Sequence, residues 1–477
     1  MVGNDFRKLH RTGCTEKFIL KLISIESRVI LMEEIREIAK KFERYSAHSH
    51  ITGLGLDENL VARDIGGGLV GQKKAREAAG IIVRLIREGK MAGRGILIAG
   101  PPGTGKTAIA VAISKELGKD IPFVQISASE FYSSEMKKTE ALLQTMRKAI
   151  GVRIRETRRV LEGEVVEINY NMVPNPYNPT QKVPESATIT LATKKEKKTF
   201  SVGSRLAMQF MYSGISEGDV IIIDRETGRI SRVGRSKESK KYDIDEYDFV
   251  ERPDGYIEKD KEYTFVVTLH DLDEARARRG SIFSLFSSES REIDNEIREA
   301  VDQQVKEWIE QGTAELIPGV LFIDETHLMD IELFAFMNRA MESEMAPIII
   351  LASNRGFARI RGTDEVSPHG IPLDLLDRLL IITTEPYSRD EIRLIVETRA
   401  AEMGLLVDDE ALERLTEIGE KYSLRYAIQL LAPSNEIAKV RNSGKIEVQD
   451  VDRAEKLFAD VSKSSAYLKE WEEKLLH

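Results

Sequence analysis

Cysteine is all but missing from this chain, with one residue, Cys14, among 477. A disulfide and a cysteine zinc site each need at least two, so both are excluded. A reducing compartment is expected, the cytoplasm or, in a eukaryote, the nucleus. Aromatic residues make up only 6%, and none is interleaved with the basic stretches, so the pattern of a base-stacking single-strand binder is missing. There is no excess of positive charge either. The net charge of −9 excludes a wholly basic, DNA-coating protein, although not local basic patches. No apolar run reaches the roughly 18–20 residues that span a bilayer. Even KFILKLISIESRVILMEE is broken by Lys21, Glu26 and Arg28, which makes it a poor signal peptide or anchor. What remains is 42% hydrophobic and 31% charged, the balance of a soluble protein with a sizeable core. The length suits roughly two to four domains.

Periodicity divides the chain. MEEIREIAKKFERY, from Met32, has Ile35, Ile38 and Phe42 at helical spacing, and a Gly-rich link follows. KKAREAAGIIVRLIREGK reads as a second helix. GILIAG is then a short buried strand, followed by a glycine turn and the helix KTAIAVAISKELG, the opening of an α/β nucleotide-binding unit. After about Gly151 the texture changes to short β-type runs, EVVEINY, SATITLAT, KTFSV, DVIIID and YTFVVTL, with a turn signal at Glu226-Thr227-Gly228. That is the pattern of a small barrel or sandwich. ARRGSIFSLFSSESRE reads as a loop. Ile293, Ile297, Val301, Val305 and Trp308 repeat at helical spacing. Parallel-sheet texture returns with PGVLFIDE and PIIILASN. From about Tyr387 the pattern is helical to the end, opened by a capping box of Ser388 and Glu391. The fold class expected is α/β, with a β-rich domain inserted into the α/β core and a helical region after it.

The most specific motif is GPPGTGKT, which fits G-x-x-x-x-G-K-[ST] with Gly100, Pro101, Pro102, Gly103, Thr104, Gly105, Lys106 and Thr107. Its glycines let backbone N–H groups face a phosphate at a helix N-terminus. Lys106 can reach the β- and γ-phosphates of ATP, and the Thr107 hydroxyl can ligate Mg²⁺. Further on, the strand VLFI runs into Asp324 and Glu325. Beside a P-loop, Asp324 suits the metal and Glu325 suits a general base for the attacking water; apart from it, the pair would be a solvated strand end. Asn354, after IIILAS, can hold that water or simply form a turn. Arg378 closes GIPLDLLDR: it either pairs with Asp374 on a helix or reaches a neighbouring subunit's γ-phosphate. Arg425, opening an amphipathic helix, either contacts the nucleotide in cis or is solvated. His327 is a coupling or a packing residue. The basic stretches RIRETRR (153–159) and KKEKK (194–198) are a solvated face or a contact to a phosphate backbone.

HSHITGLGLD, GLVGQKKAREAAG, GPPGTGKT, DETH, VTLHDLD, ASNRG, SPHGIPLDLLDR and SLRYAIQLL together resemble the AAA+ ATPases, and closely the RuvB-like family of the pontin and reptin type. The resemblance runs from about Met32 to the C-terminus. It implies an OB-fold-like insert between the two nucleotide motifs. It also implies Lys106 and Thr107 as Walker A, Asp324 and Glu325 as Walker B, Asn354 as sensor 1, Arg378 as the arginine finger and Arg425 as sensor 2. His48 and His50 are implied near the nucleotide. Members of the family form hexameric rings, single or double, and are ATP-dependent DNA helicases that also serve the assembly of multiprotein complexes. The expected domains are an extra segment over 1–31, the first part of the core over 32–150, the insert over 151–317, the second part over 318–386 and a helical lid over 387–477. The extra segment, without a family counterpart, suggests a misassigned start, and the short insert suggests an archaeal-type single paralogue. Expected partners are copies of the chain itself, DNA through the insert and ring pore, and other proteins; no membrane is expected. Two functions fit: a DNA helicase or translocase, and an ATP-regulated assembly chaperone or scaffold.

Overall fold

The computed structural model describes residues 50–91, 93–118, 120–133, 136–175, 178–225, 228–237, 249–280 and 292–459. The helix expected from Met32, the 1–31 segment and His48 lie outside them.

Five short strands form a wholly parallel sheet: β1 (Gly95–Ala99), β2 (Phe123–Ser127), β3 (Val320–Asp324), β4 (Ile348–Ser353) and β5 (Leu379–Thr383). Their order is β5-β1-β4-β3-β2. A parallel sheet is covered on both faces, so its strands read as continuous apolar runs, and the central three are buried almost throughout. Alternation then divides the side chains. Ile96, Ile98, Phe322 and Ile350 join one apolar cluster with helices α1 (Lys73–Arg87) and α2 (Lys106–Leu117). Leu97, Leu321, Ile323 and Leu351 join the other, with Phe334 and Met337 of the helix Ile331–Ala340. Four helices, Arg389–Glu402, Asp409–Lys421, Leu424–Val440 and Val448–Leu457, close a C-terminal core of their own around Val396, Leu415, Leu430 and Val451. The expected capping box is present: Glu391 accepts from the Ser388 N–H at 2.8 Å. No described helix is long and apolar enough to cross a membrane.

The chain divides into two compact units. Arg153–Val266 and Glu307–Glu315 form the β-rich one. Its long first strand, Ile150–Asn175, pairs antiparallel with Asn178–Ala192, which pairs with Lys197–Gly203. The helix Ser204–Tyr212 follows. Asp219–Asp224 then returns to the first strand, and Ile230–Ser236 pairs with it in turn. The order of these five is fifth, fourth, first, second, third, with the helix between third and fourth, which is OB-fold connectivity. Val165, Ile189, Leu191, Phe210, Ile221 and Ile223 fill the interior. Gly228 N donates to Asp224 O at 2.9 Å and closes the turn expected there; Glu226 and Thr227 are outside the described residues.

The unit boundary differs from the expected span of 151–317. Val267–Lys306 clusters with the P-loop body. Two buried ion pairs explain this. Arg147 holds Asp273 and Asp302, while Arg298 holds Glu140, and breaking a buried pair by removing one partner is strongly destabilising. Burial pushes the Asp273 carboxyl up, opposed by Arg147. The repeat read over 293–308 is the helix Asn295–Glu310, with Val301 and Val305 inward. Of the serine-rich loop reading, residues 281–291 are outside the described residues.

Candidate nucleotide site

The register of the sheet brings the motif residues together. Ser353 pairs with Ala99, and Ile323 with Leu351, so the P-loop, Asn354 and Asp324 all leave the same end of the sheet from three adjacent strands. Gly100 N donates to Ser353 O at 3.1 Å and fixes the start of the loop. Gly105 has φ 81°, and a Cβ there would stand 2.6 Å from the Tyr387 hydroxyl, so glycine is required on both counts. Lys106 turns into the loop and donates to the carbonyls of Gly100 at 3.0 Å and Pro101 at 2.7 Å. It is 9% exposed. Burial pushes its ammonium below the usual lysine range, Asp324 opposes that, and the charge of Arg425 adds to it. One lysine thus feels both Asp324 and the lid arginine.

Glu325 follows β3 at φ 55°, a left-handed conformation that is uncommon outside glycine and that concentrates at functional sites. Thr326, fully buried, donates to the Ala352 carbonyl at 2.9 Å and ties this turn to β4. The carboxylate of Glu325 accepts from the Ser127 hydroxyl at 3.3 Å. His327 is pressed below the usual histidine range by burial and by Arg355, against Glu325 and Asp324, and its Nδ1 is buried without a partner.

Arg425 is the second residue of Leu424–Val440 and is exposed. His50 is set against the lid: its Nδ1 lies 2.8 Å from Glu402 Oε1 and 3.5 Å from Arg399 Nη1. Arg378 stands apart. It immediately precedes β5, whose five residues pair with Gly95–Ala99 of β1. At about 3.3 Å per residue it lies some 17 Å from the P-loop end of the sheet, a span an arginine side chain cannot bridge. Asp374, its partner on the ion-pair alternative, is not the one found. The helix there is only Leu373–Leu376, so Asp374 and Arg378 do not share a helical face; Arg378 Nη1 donates to Glu342 Oε1 at 2.5 Å.

The insert's basic residues have carboxylate neighbours. Arg153 and Arg155 pair with Glu315, Arg159 with Asp260, Lys194 with Glu251 and Lys198 with Glu196. Arg158 is 3% exposed and holds Glu156 and Asp224, so it is structural and unable to meet a phosphate backbone. Lys195 and Lys197 are exposed.

Three further site residues escape a reading by motif. Thr104 and Thr384 share a hydroxyl contact of 2.7 Å. Tyr387 donates to Thr104 O at 3.3 Å. Gln72, at φ 51°, exchanges two hydrogen bonds with the backbone of Glu385, at 2.6 and 3.1 Å. The only sequence signal was Gln72's place in GLVGQ, since the partners lie some three hundred positions away.

A P-loop on the second strand of a β5-β1-β4-β3-β2 sheet, an acidic pair on β3, a polar residue after β4 and a helical lid carrying an arginine define an AAA+ P-loop ATPase. A family model described as the TIP49 P-loop domain matches residues 44–390, and one described as the TIP49 AAA-lid domain matches 395–460. RuvB-like helicase 1 of Kluyveromyces lactis is 46% identical over 454 residues, 93% of this chain and 99% of that protein. The chain belongs to the TIP49 family of RuvB-like helicases.

Proposed function

We propose that this ATPase works as a ring of identical subunits that couples ATP hydrolysis to movement along DNA, as a helicase or translocase. The observation that carries the reading is the division of labour across the sheet: Lys106, Asp324, Glu325 and Asn354 share one end, and Arg378 is about a strand's length away. In the reaction, Lys106 holds the β- and γ-phosphates and the P-loop N–H groups orient them. Glu325 takes the proton of the attacking water, and Asn354 holds that water in line. Arg425 steadies the phosphates from the lid. Arg378, out of reach of its own P-loop, meets the γ-phosphate of the adjoining subunit and stabilises charge in the transition state. Thr107 and Asp324 offer oxygen donors, the hard ligands that suit Mg²⁺. Mg²⁺ is commonly held by one or two protein oxygens together with substrate phosphates and water. Bound with the nucleotide, Mg²⁺ would neutralise phosphate charge there.

One observation favours a second reading, an ATP-regulated assembly chaperone or scaffold. Most of the insert's candidate DNA-contacting cations already pair with carboxylates. The ATPase rate, measured with and without single- and double-stranded DNA at stated salt, separates the two. A motor is stimulated by DNA; an indifferent rate favours the scaffold. In the same assay Lys106→Ala is expected to lose nucleotide binding. Glu325→Gln is expected to keep binding and lose hydrolysis, since an amide cannot accept the proton. A Gln variant hydrolysing at the normal rate would remove the assigned base.

A further inference from the structure

We propose that Glu342, with Asn338, forms the seat that orients Arg378, and that both are positioning residues for hydrolysis at the adjoining subunit. The inference rests on reading Arg378 as acting in trans.

The helix Ile331–Ala340 starts six residues after Glu325, and Asp330 caps it by accepting from the Leu333 N–H at 3.0 Å. Leu333, Phe334 and Met337 are almost fully buried, so it is a rigid support. The helix and the turn that follows it hold the Arg378 segment at two points, Asn338 on the last turn and Glu342 just past the Met341 cap. Asn338 Nδ2 donates to Asp374 Oδ2 at 3.2 Å, and Arg378 Nη1 donates to Glu342 Oε1 at 2.5 Å. Between them Leu375, 1% exposed, is anchored in the core. The segment is therefore pinned at both ends and in the middle.

Stability does not account for this arrangement. Arg378 and Glu342 are 37% and 58% exposed, and surface ion pairs add little to stability. Asn338 Oδ1 is buried without a partner, which is unfavourable. What the contacts do supply is direction. A guanidinium carries five N–H donors in a fixed fork. Glu342 takes one through Nη1, which restrains where the group points and leaves Nε and Nη2 for a phosphate. The same helix links this seat to the turn that carries Glu325.

The test uses full-length protein and mixed oligomers. Glu342→Ala is expected to lower kcat roughly 10- to 100-fold, the scale of a misplaced catalytic group, with KM and nucleotide affinity unchanged. Glu342→Gln keeps an acceptor for Nη1 and loses less. Assembly is checked by light scattering, and should the Ala variant not assemble, the Gln variant takes its place in every arm. Mixing Glu342→Ala with hydrolysis-dead Glu325→Gln is expected to raise the activity per Glu342→Ala subunit, because the neighbour brings a correctly held Arg378 to an intact Glu325. A normal kcat, or a loss that mixing does not relieve, overturns the seat. Arg378→Ala mixed with Glu325→Gln is the control for the reading beneath it. Recovery there, with none for the Glu342 variant, removes only the seat. No recovery there removes the trans action itself.

Discussion

Tyr387 donates its hydroxyl to the backbone carbonyl of Thr104 at 3.3 Å, joining the residue just before the first lid helix's Ser388 cap to the middle of the P-loop. Thr384 meets the side chain of Thr104 at 2.7 Å, and Gln72 clamps the backbone of Glu385 between them. The strand-to-lid link is thus fastened to the loop that binds phosphate.

Tyr387→Phe should weaken nucleotide binding without unfolding the protein. A neutral hydrogen bond contributes about 0.5–1.5 kcal/mol, so affinity should fall roughly 2- to 10-fold by titration calorimetry. Burial, then Glu391, pushes the Tyr387 hydroxyl up to about 12, against Gln72 and Arg76. The phenol therefore stays protonated and able to donate across the neutral range. The loss should be the same at about pH 6 and pH 9, and a difference that grows with pH, or none at either, would break the link.

Two deletions should behave differently although both remove the β-rich unit's strands. Removing 153–266 with a short Gly/Ser linker retains Val267–Lys306, and with it both Asp273 and Arg298. The buried Arg147 and half-buried Glu140 keep their partners. Removing 151–317 strips both. Breaking a buried pair by removing one side costs about 3–5 kcal/mol, a large share of the roughly 5–15 kcal/mol that holds a domain folded. The shorter deletion should melt cooperatively and bind nucleotide; the longer should melt much lower or fail to fold. Equal thermal stability of the two would place the boundary back at 151–317.

Much of this was legible in the sequence because local patterns carry it. VLFID and IIILAS are buried parallel strands and read as such, and GPPGTGKT specifies both its turn and its ligand. The OB-like connectivity was less so: a short β run shows that a strand exists, not which strand it pairs with. The boundary at Val267 depended on Arg147 and Asp273, two charged residues that look solvated until paired 126 positions apart. The Asp374 pairing, one of the two alternatives for Arg378, fails for a related reason. A spacing of four implies a shared face only on a helix, and the helix ends at Leu376. The Thr104, Thr384 and Tyr387 contacts have no periodic signature at all, since they arise where β5 delivers the chain back to β1.

DNA contact through the insert should fall on Lys195 and Lys197, not on the arginine run. Both lysines are exposed, in the Thr193–Lys197 turn and the strand that follows it. Arg158 is enclosed by Glu156 and Asp224 at 2.6 and 2.8 Å, and taking it out leaves two carboxylates without their cation inside the unit. Each lysine lost from a phosphate contact flattens the dependence of log affinity on log salt by about 0.9 for duplex DNA, or about 0.7 for a single strand. Lys195→Ala with Lys197→Ala should therefore flatten that slope by nearly two for a duplex, with the melting temperature unmoved. Arg158→Ala should lower the melting temperature and leave the slope of the remaining folded protein as it was. The measurement is binding to one labelled oligonucleotide across a salt series, beside a thermal melt of each variant. If the double lysine variant keeps the full slope, the insert does not grip DNA through this turn. If Arg158→Ala flattens the slope while melting normally, the ion pairs open on binding and the assignment reverses.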